Sequence, residues 1–233
     1  MLLQELREEV LQANLELVRR GLVVYTFGNV SGISREQALV AIKPSGIPYD
    51  EMGPEHIVVS DLDGRVVESN LRPSSDLPTH LVLYKAFPEI GGVAHTHSEY
   101  ATAWAQARRP IPCFGTTHAD YFHGPVPVTA VMEDDEIAWH YERNTGHAIV
   151  RTFENGDHAS VPAVLVANHG PFTWGVDPAT AAHNAVVLES VARMAYLTLA
   201  INHDAPAIDR GLHDKHYLRK HGSNAYYGQA KDK

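Results

Sequence analysis

The chain has 233 residues, 44% hydrophobic and 20% charged, which suits an ordinary globular protein of one large domain. Its formal net charge of −9 argues against a general nucleic-acid binder, which needs a basic face, but leaves room for one basic pocket that takes a small anion. Cys113 is the only cysteine, so an intrachain disulfide is excluded, and any metal site must rely on histidine and carboxylate.

The N-terminal LLQELREEVLQANLELVRRG carries too much charge for a signal peptide, and no apolar run approaches the roughly 18 residues that span a bilayer. A soluble, cytoplasmic protein with no membrane partner is expected. Leu3, Leu6, Val10, Ala13 and Leu17 recur at helical spacing up to Gly21, a helix stop. The stretches LVVYTFGNVSG, ALVAIKPSG and HIVVSDLDGRVVE read as strands, the last with a hairpin turn at Asp63-Gly64. SSDLPTHLVLYKAF reads as a capped helix with Pro78 in its first turn.

IGGVAHTH reads as a buried strand, followed by a short helix over TAWAQA and a longer one over EDDEIAWHYERNTG that stops at Gly146. PAVLVANHG is a further strand, and Asp177-Pro178 opens the longest helix, to about His203. The tail DKHYLRKHGSNAYYGQ mixes cations and aromatics too specifically for a disordered tag, and only AKDK reads as loose. Without linkers or repeats, the pattern predicts a single α/β domain over residues 1–233, a central sheet covered by helices.

Three histidines carry the chemistry. In a strand, residues i and i+2 share a face, so His95 and His97 set two imidazoles side by side while Thr96 points away. His169 ends a second apolar strand before Gly170-Pro171, and three convergent imidazoles suit zinc. Asp76 reads either as a fourth ligand or as a helix-start carboxylate facing the helix dipole. KPSG (Lys43, Ser45, Gly46) and PSSD (Ser74, Ser75) are candidate anion loops, combining a cation, hydroxyls and backbone N–H groups. His118, His123, His213 and His221 read as structural or exposed.

Taken together, TFGNVSG, IKPSG, PSSD-x-PTH, HTHS, GTTHADYF, NHGPF-x-WG and DKHYLRKHG-x-x-AYYGQ resemble the L-ribulose-5-phosphate 4-epimerases of the class II aldolase superfamily, from the first helix to Gln229. The resemblance implies an αβα fold around a mainly antiparallel sheet, and homotetramers with active sites between subunits. It implies Asp76, His95, His97 and His169 as ligands to Zn2+ or another divalent metal. Gly28, Asn29, Lys43, Ser45, Gly46, Ser74 and Ser75 would surround a sugar phosphate. Asp120 and Tyr227 would be the acid/base pair, supported by His216, Arg219, Thr116, Thr117 and Glu142. Phe27 stands where relatives commonly carry Trp, and Glu99-Tyr100 where they carry a more basic pair.

Two other readings share these motifs. One is a sugar-phosphate aldolase of the L-fuculose-1-phosphate type, against which Asp76 (commonly Glu there) and the YYGQ tail speak. The other is an adducin-like interaction module, which has no need of metal, phosphate and acid/base motifs together.

Overall fold

The computed structural model describes residues 1–227. The end of the YYGQ motif and the AKDK tail lie outside the described residues. Seven strands form one sheet: β1 (Asn29–Ser34), β2 (Leu39–Ile42), β3 (Val58–Asp61), β4 (Val66–Glu68), β5 (Gly92–His95), β6 (Ala163–Leu165) and β7 (Pro171–Gly175). Their spatial order is β4-β3-β2-β1-β5-β7-β6, and every neighbouring pair is antiparallel.

Alternation along the central strands decides what faces what. Val30 of β1 and Ala94 of β5 pack with Ala13, Leu17 and Ala181 on one side of the sheet. Those partners belong to α1 (Gln4–Arg19) and α7 (Pro178–Ile201). Ile33, Val93, Phe172 and Trp174 face the other side, against Leu81, Tyr84, Phe87, Ile149 and Phe153. That layer comes from α2 (Leu77–Ala86) and α6 (Tyr141–Thr152). The expected αβα arrangement around an antiparallel sheet is therefore the one observed. Asn29 and Ser31 share the α2 side of β1, and in register they oppose His95 and Val93 of β5. Chemistry-bearing side chains thus gather at one end of that face.

Two junctions hold this end. Asp177 caps α7 through its side chain, accepting from the Thr180 N–H at 2.6 Å, as its position before Pro178 predicts. Glu189 of α7 accepts the N–H groups of Tyr100 and Ala101 at 2.8 and 2.9 Å, satisfying the start of α3 (Glu99–Gln106) just after His97. On the far edge, the buried Arg7 donates to the carbonyls of Leu2, Ile57 and Glu68 and pairs with the Glu68 carboxylate, so α1 is tied to β3 and β4.

Several sequence expectations need correction. LVVYT is not strand: Tyr25 has φ +53° and the Phe27 N–H bonds back to Val24, so a turn precedes β1. The single helix expected over EDDEIAWHYERNTG is broken at His140, which has φ +58°, into α5 (Asp134–Ala138) and α6. Gly146 does not stop α6, which continues to Thr152. A Cβ on Gly146 would stand 2.7 Å from the Val82 Cβ and 3.1 Å from the Thr79 carbonyl, so this glycine lets α6 lie close on α2. Finally, α7 is long and apolar enough by composition to cross a membrane, contrary to the expectation from uninterrupted runs. Its buried face, from Pro178 to Ala195, instead covers the sheet and α1.

A three-histidine centre and its surroundings

His95 is the last residue of β5, buried between strands. Its Nδ1–H donates to the Pro171 carbonyl at 2.9 Å, and its ring stacks on Phe172 at 4.1 Å. The bond fixes the tautomer and leaves the Nε2 lone pair free, the usual arrangement of a metal-binding imidazole. His97 lies beyond the strand, not within it as the spacing suggests, and is exposed. Its Nε2 nevertheless stands 3.1 Å from that of His95. His169 also departs from expectation. β6 ends at Leu165, and His169 sits in the following turn, where Val166 N–H donates to Gly170 and Asn168 takes φ +63°. Asparagine tolerates that conformation, and Asn168 is pinned to the Ala105 carbonyl.

One ring nitrogen from each of the three histidines lies within 4.8 Å of the others. Nitrogens bound at about 2.0–2.1 Å to one tetrahedral cation stand about 3.3 Å apart, so the His95–His97 spacing already matches. Gly170 is needed here: a Cβ would press on the Thr96 carbonyl at 2.8 Å and the His97 ring at 3.1 Å. Burial and the neighbouring His95 push His169 down to about 3, and burial also lowers His97. Both are thus neutral donors at neutral pH. Three imidazoles with an adjacent carboxylate fit a divalent cation of zinc type, with the exposed side left for substrate.

Asp76 is that carboxylate. It occupies the position before α2, yet its side chain makes no capping bond, so the helix-start reading loses its main support. Oδ2 instead accepts from the Asn29 amide at 2.7 Å, and the same amide reaches Ser74 Oγ at 3.0 Å. Burial raises its pKa, but the charges of His95 and His80, the Asn29 bond and His169 outweigh it, so the net shift is downward. Asp76 is not among the groups within 4.8 Å of one another; it flanks the three histidines.

The two candidate anion loops run side by side. Pro44 bridges Pro73, Ser74 N–H donates to the Lys43 carbonyl at 2.9 Å, and Ser45 N–H to Arg72. Lys43 is only 2% exposed and has no carboxylate partner among the described residues. Its ammonium donates to the carbonyls of Pro44 and Ile47 at 3.2 Å and lies over the Tyr49 ring. Tyr49 in turn donates to the Gly28 carbonyl at 2.8 Å, joining the TFGN and KPSG turns. Burial pulls Lys43 down to about 8. Ser45, Gly46 and Ser75 are exposed beside it.

Asp120 belongs to a second cluster. It follows α4 (Thr116–Ala119), and α8 (Arg210–His221) docks over it. Its carboxylate accepts from His216 Nδ1 at 3.0 Å and from Arg219 at 3.1 and 2.8 Å, with Lys220 at 3.7 Å. Burial raises its pKa, but the Arg219 and His216 hydrogen bonds and the Lys220 charge outweigh it and hold the carboxyl below its ordinary range. Tyr227 is exposed, its ring under Arg219 and Lys220. Among the described residues, no hydrogen bond or ion pair joins this cluster to the three histidines. Thr116 and Thr117 begin α4. Glu142 lies apart on α6, where its carbonyl receives the Thr79 hydroxyl. His118, His123, His213 and His221 bond to Gly124, Asp214, Phe122 and Asp120 respectively.

The Class II Aldolase and Adducin N-terminal domain matches residues 8–196. The chain belongs to the class II aldolase family. Two curated relatives, each an L-ribulose-5-phosphate 4-epimerase UlaF, come from Salmonella paratyphi A and Salmonella typhi. Each is 52% identical over 227 residues, covering 97% of this chain and 100% of its own. Among solved structures, an L-fuculose 1-phosphate aldolase superposes with TM-score 0.78 at 27% identity, over 92% of this chain and 95% of its own. YgbL from Klebsiella pneumoniae does so with TM-score 0.72 at 26% identity, over 91% and 97%.

Two residues of this class II aldolase centre carry no role in the sequence reading. Tyr141 OH lies 3.3 Å from His169 Nδ1, where it orients that ring. His80, the last letter of the PTH motif, is fully buried beside Asp76 and His95, with Nδ1 at 2.7 Å from Ser31 Oγ. Only its placement four residues after Asp76 hinted at this.

Proposed function

We propose that the chain is a zinc-dependent L-ribulose-5-phosphate 4-epimerase that interconverts L-ribulose 5-phosphate and D-xylulose 5-phosphate. The observation that carries the reading is the convergence of His95, His97 and His169, within 4.8 Å, on a chain 52% identical along its length to proteins of that name. Residues 1–233 act as one catalytic domain, and the protein works in the cytoplasm with a sugar phosphate as its partner.

The hydrogen on carbon 4 is not adjacent to the ketone, so its direct removal gains no resonance. Breaking the C3–C4 bond avoids this. The carbon-4 hydroxyl gives its proton to a base, C4–O becomes an aldehyde, and the bonding pair passes to C3 as an enediolate. Half a turn of the glycolaldehyde phosphate before the bond re-forms inverts carbon 4. His95, His97, His169 and Asp76 would hold a divalent ion, which would supply Lewis acidity at the ketone end of the substrate. Lys43, with the Ser45-Gly46 and Ser74-Ser75 loops and the Gly28-Asn29 turn, keeps the phosphate from leaving.

Asp120 and Tyr227 exchange the hydroxyl proton on the two faces, entering from a neighbouring subunit of a homotetramer. Their separation from the histidines within one chain supports that arrangement. So do the exposed aromatics Tyr25, Phe27 and Trp139, on the segments that lead to the histidine cluster. His216 and Arg219 set the Asp120 carboxylate, and loosening Arg219 raises its pKa toward a useful range. Thr116, Thr117 and Glu142 support the acid/base pair.

The test is product analysis. Zinc-loaded protein given L-ribulose 5-phosphate should form D-xylulose 5-phosphate with no build-up of glycolaldehyde phosphate. Accumulation of glycolaldehyde phosphate and dihydroxyacetone would make it an aldolase instead.

A further inference from the structure

His80 sits in a buried chain of polar groups whose proton order can be worked out. Ser31 Oγ is 2.7 Å from His80 Nδ1 and 2.8 Å from the Tyr84 hydroxyl, and all three side chains are buried. His80 Nε2 is buried with no partner. Ser31 has one proton to give. If Tyr84 donates to Ser31 and Ser31 donates to His80 Nδ1, both hydroxyl protons are used and His80 carries its own on Nε2. If His80 donates to Ser31 instead, Ser31 must donate to Tyr84. The Tyr84 proton and the bare Nε2 are then both stranded, two unsatisfied buried groups instead of one. The first order strands one group only, an Nε2–H donor.

The carboxylate that stands next to that donor along α2 is Asp76. The His80 backbone N–H bonds to the Asp76 carbonyl at 3.1 Å, so the two residues are one helical turn apart on the same face of α2. Asp76 and His95 are the titratable groups that act on His80. Asp76 Oδ2 is held by Asn29, and its other oxygen has no hydrogen bond among the described residues.

We propose that His80 is a positioning residue for the metal centre: its Nε2–H, unpartnered here, is the donor for the second oxygen of Asp76 when the site holds its cation and, with Asn29 on the first, fixes the carboxylate beside the three histidines. This rests on the reading that Asp76 and the histidines hold a divalent cation. Ser31 and Tyr84, held in the core, lock the tautomer from behind, so the donor is in place before any ion arrives.

The experiment is zinc affinity, measured by competition with a chromophoric chelator, for the wild type, His80→Leu, His80→Gln and Ser31→Ala. The same His80 changes are made in an Asp76→Asn background. His80→Leu should weaken zinc about 10- to 100-fold. His80→Gln, which keeps an N–H donor near the Nε2 position, should restore most of that loss. In the Asp76→Asn background, His80→Leu should cause no further loss. Ser31→Ala leaves the core packed and frees the tautomer, so it should show a smaller loss in the same direction, and it serves if His80→Leu fails to fold. Unchanged zinc affinity in His80→Leu, or in Ser31→Ala should the former not fold, would overturn the proposal. So would an equal loss in both backgrounds, or a change in KM alone that shows His80 acting on substrate. If the wild type itself binds no zinc, or binds it independently of His95, the metal reading falls and the role of His80 with it; failure confined to the predictions for the His80 and Ser31 variants overturns the role of His80 alone.

Discussion

Asn29 and Asp76 are joined by a 2.7 Å hydrogen bond between β1 and the residue that opens α2, so a sheet residue holds the carboxylate beside the three histidines. The same amide reaches Ser74, which couples the carboxylate to the Ser74-Ser75 loop. Asn29→Ala should therefore weaken zinc binding and raise KM together. Leaving the buried carboxylate short of a donor should also cost about 1–3 kcal/mol of stability. Zinc titration and urea unfolding on the same preparations check both, and an unchanged pair of values would remove Asn29 from the site.

Gly146 permits the close contact of α6 with α2, the helix that begins just after Asp76. A methyl group there gains about 1 kcal/mol of helix propensity but meets Val82 at 2.7 Å, and overpacking of this kind costs about 1–3 kcal/mol. Gly146→Ala should lower the thermal midpoint. A raised midpoint would mean the two helices part at little cost.

Lys43 titrates in a useful range. Its pKa in the folded protein is depressed to about 8, so the folded state holds fewer protons than the unfolded chain between about 8 and the ordinary lysine value. The desolvation cost of this ammonium is therefore borne fully below pH 8 and relieved as pH rises. Its attraction for phosphate runs the other way and is lost above pH 8. KM for a phosphorylated substrate, or the inhibition constant of inorganic phosphate, should rise through pH 8 in the wild type. Lys43→Met should bind weakly at every pH and lose that inflection.

Asp120 has a depressed pKa, so the docking of α8 that it supplies is present above the ordinary aspartate value and is lost as pH falls through the lower folded one. Asp120→Asn should loosen α8 already at neutral pH while leaving bound zinc in place. Hydrogen exchange along residues 210–221, with zinc content measured in parallel, separates the two effects.

Much of this fold can be read from residue order. The alternation in NVSGIS sends Asn29, Ser31 and Ile33 to one face of the sheet and Val30 to the other, and the Asp177-Pro178 start of α7 is a local signal. The misread places have tertiary causes. Tyr25 and His140 take positive φ at turns, and neither residue type announces it. Gly146 looks like a helix stop because a stop and a close helix contact both call for glycine. At the site, the HTH spacing brings His95 and His97 together although only His95 lies in the strand. His169, 72 residues beyond His97, joins them through the β6–β7 turn. Spacing leaves Asp76 undecided between cap and ligand, and the absence of a capping bond together with the Asn29 contact favours the second. Tyr141 and the Ser31–His80–Tyr84 chain depend on packing between layers, which no single segment encodes.

The measurement that tests the account most directly is turnover of L-ribulose 5-phosphate against bound zinc, in the wild type and in His97→Ala. Stripped wild-type protein should be inactive and should regain activity in proportion to zinc, up to one ion per chain, while His97→Ala should neither hold zinc firmly nor turn over. Full turnover by metal-free protein, or by His97→Ala without bound metal, would contradict it.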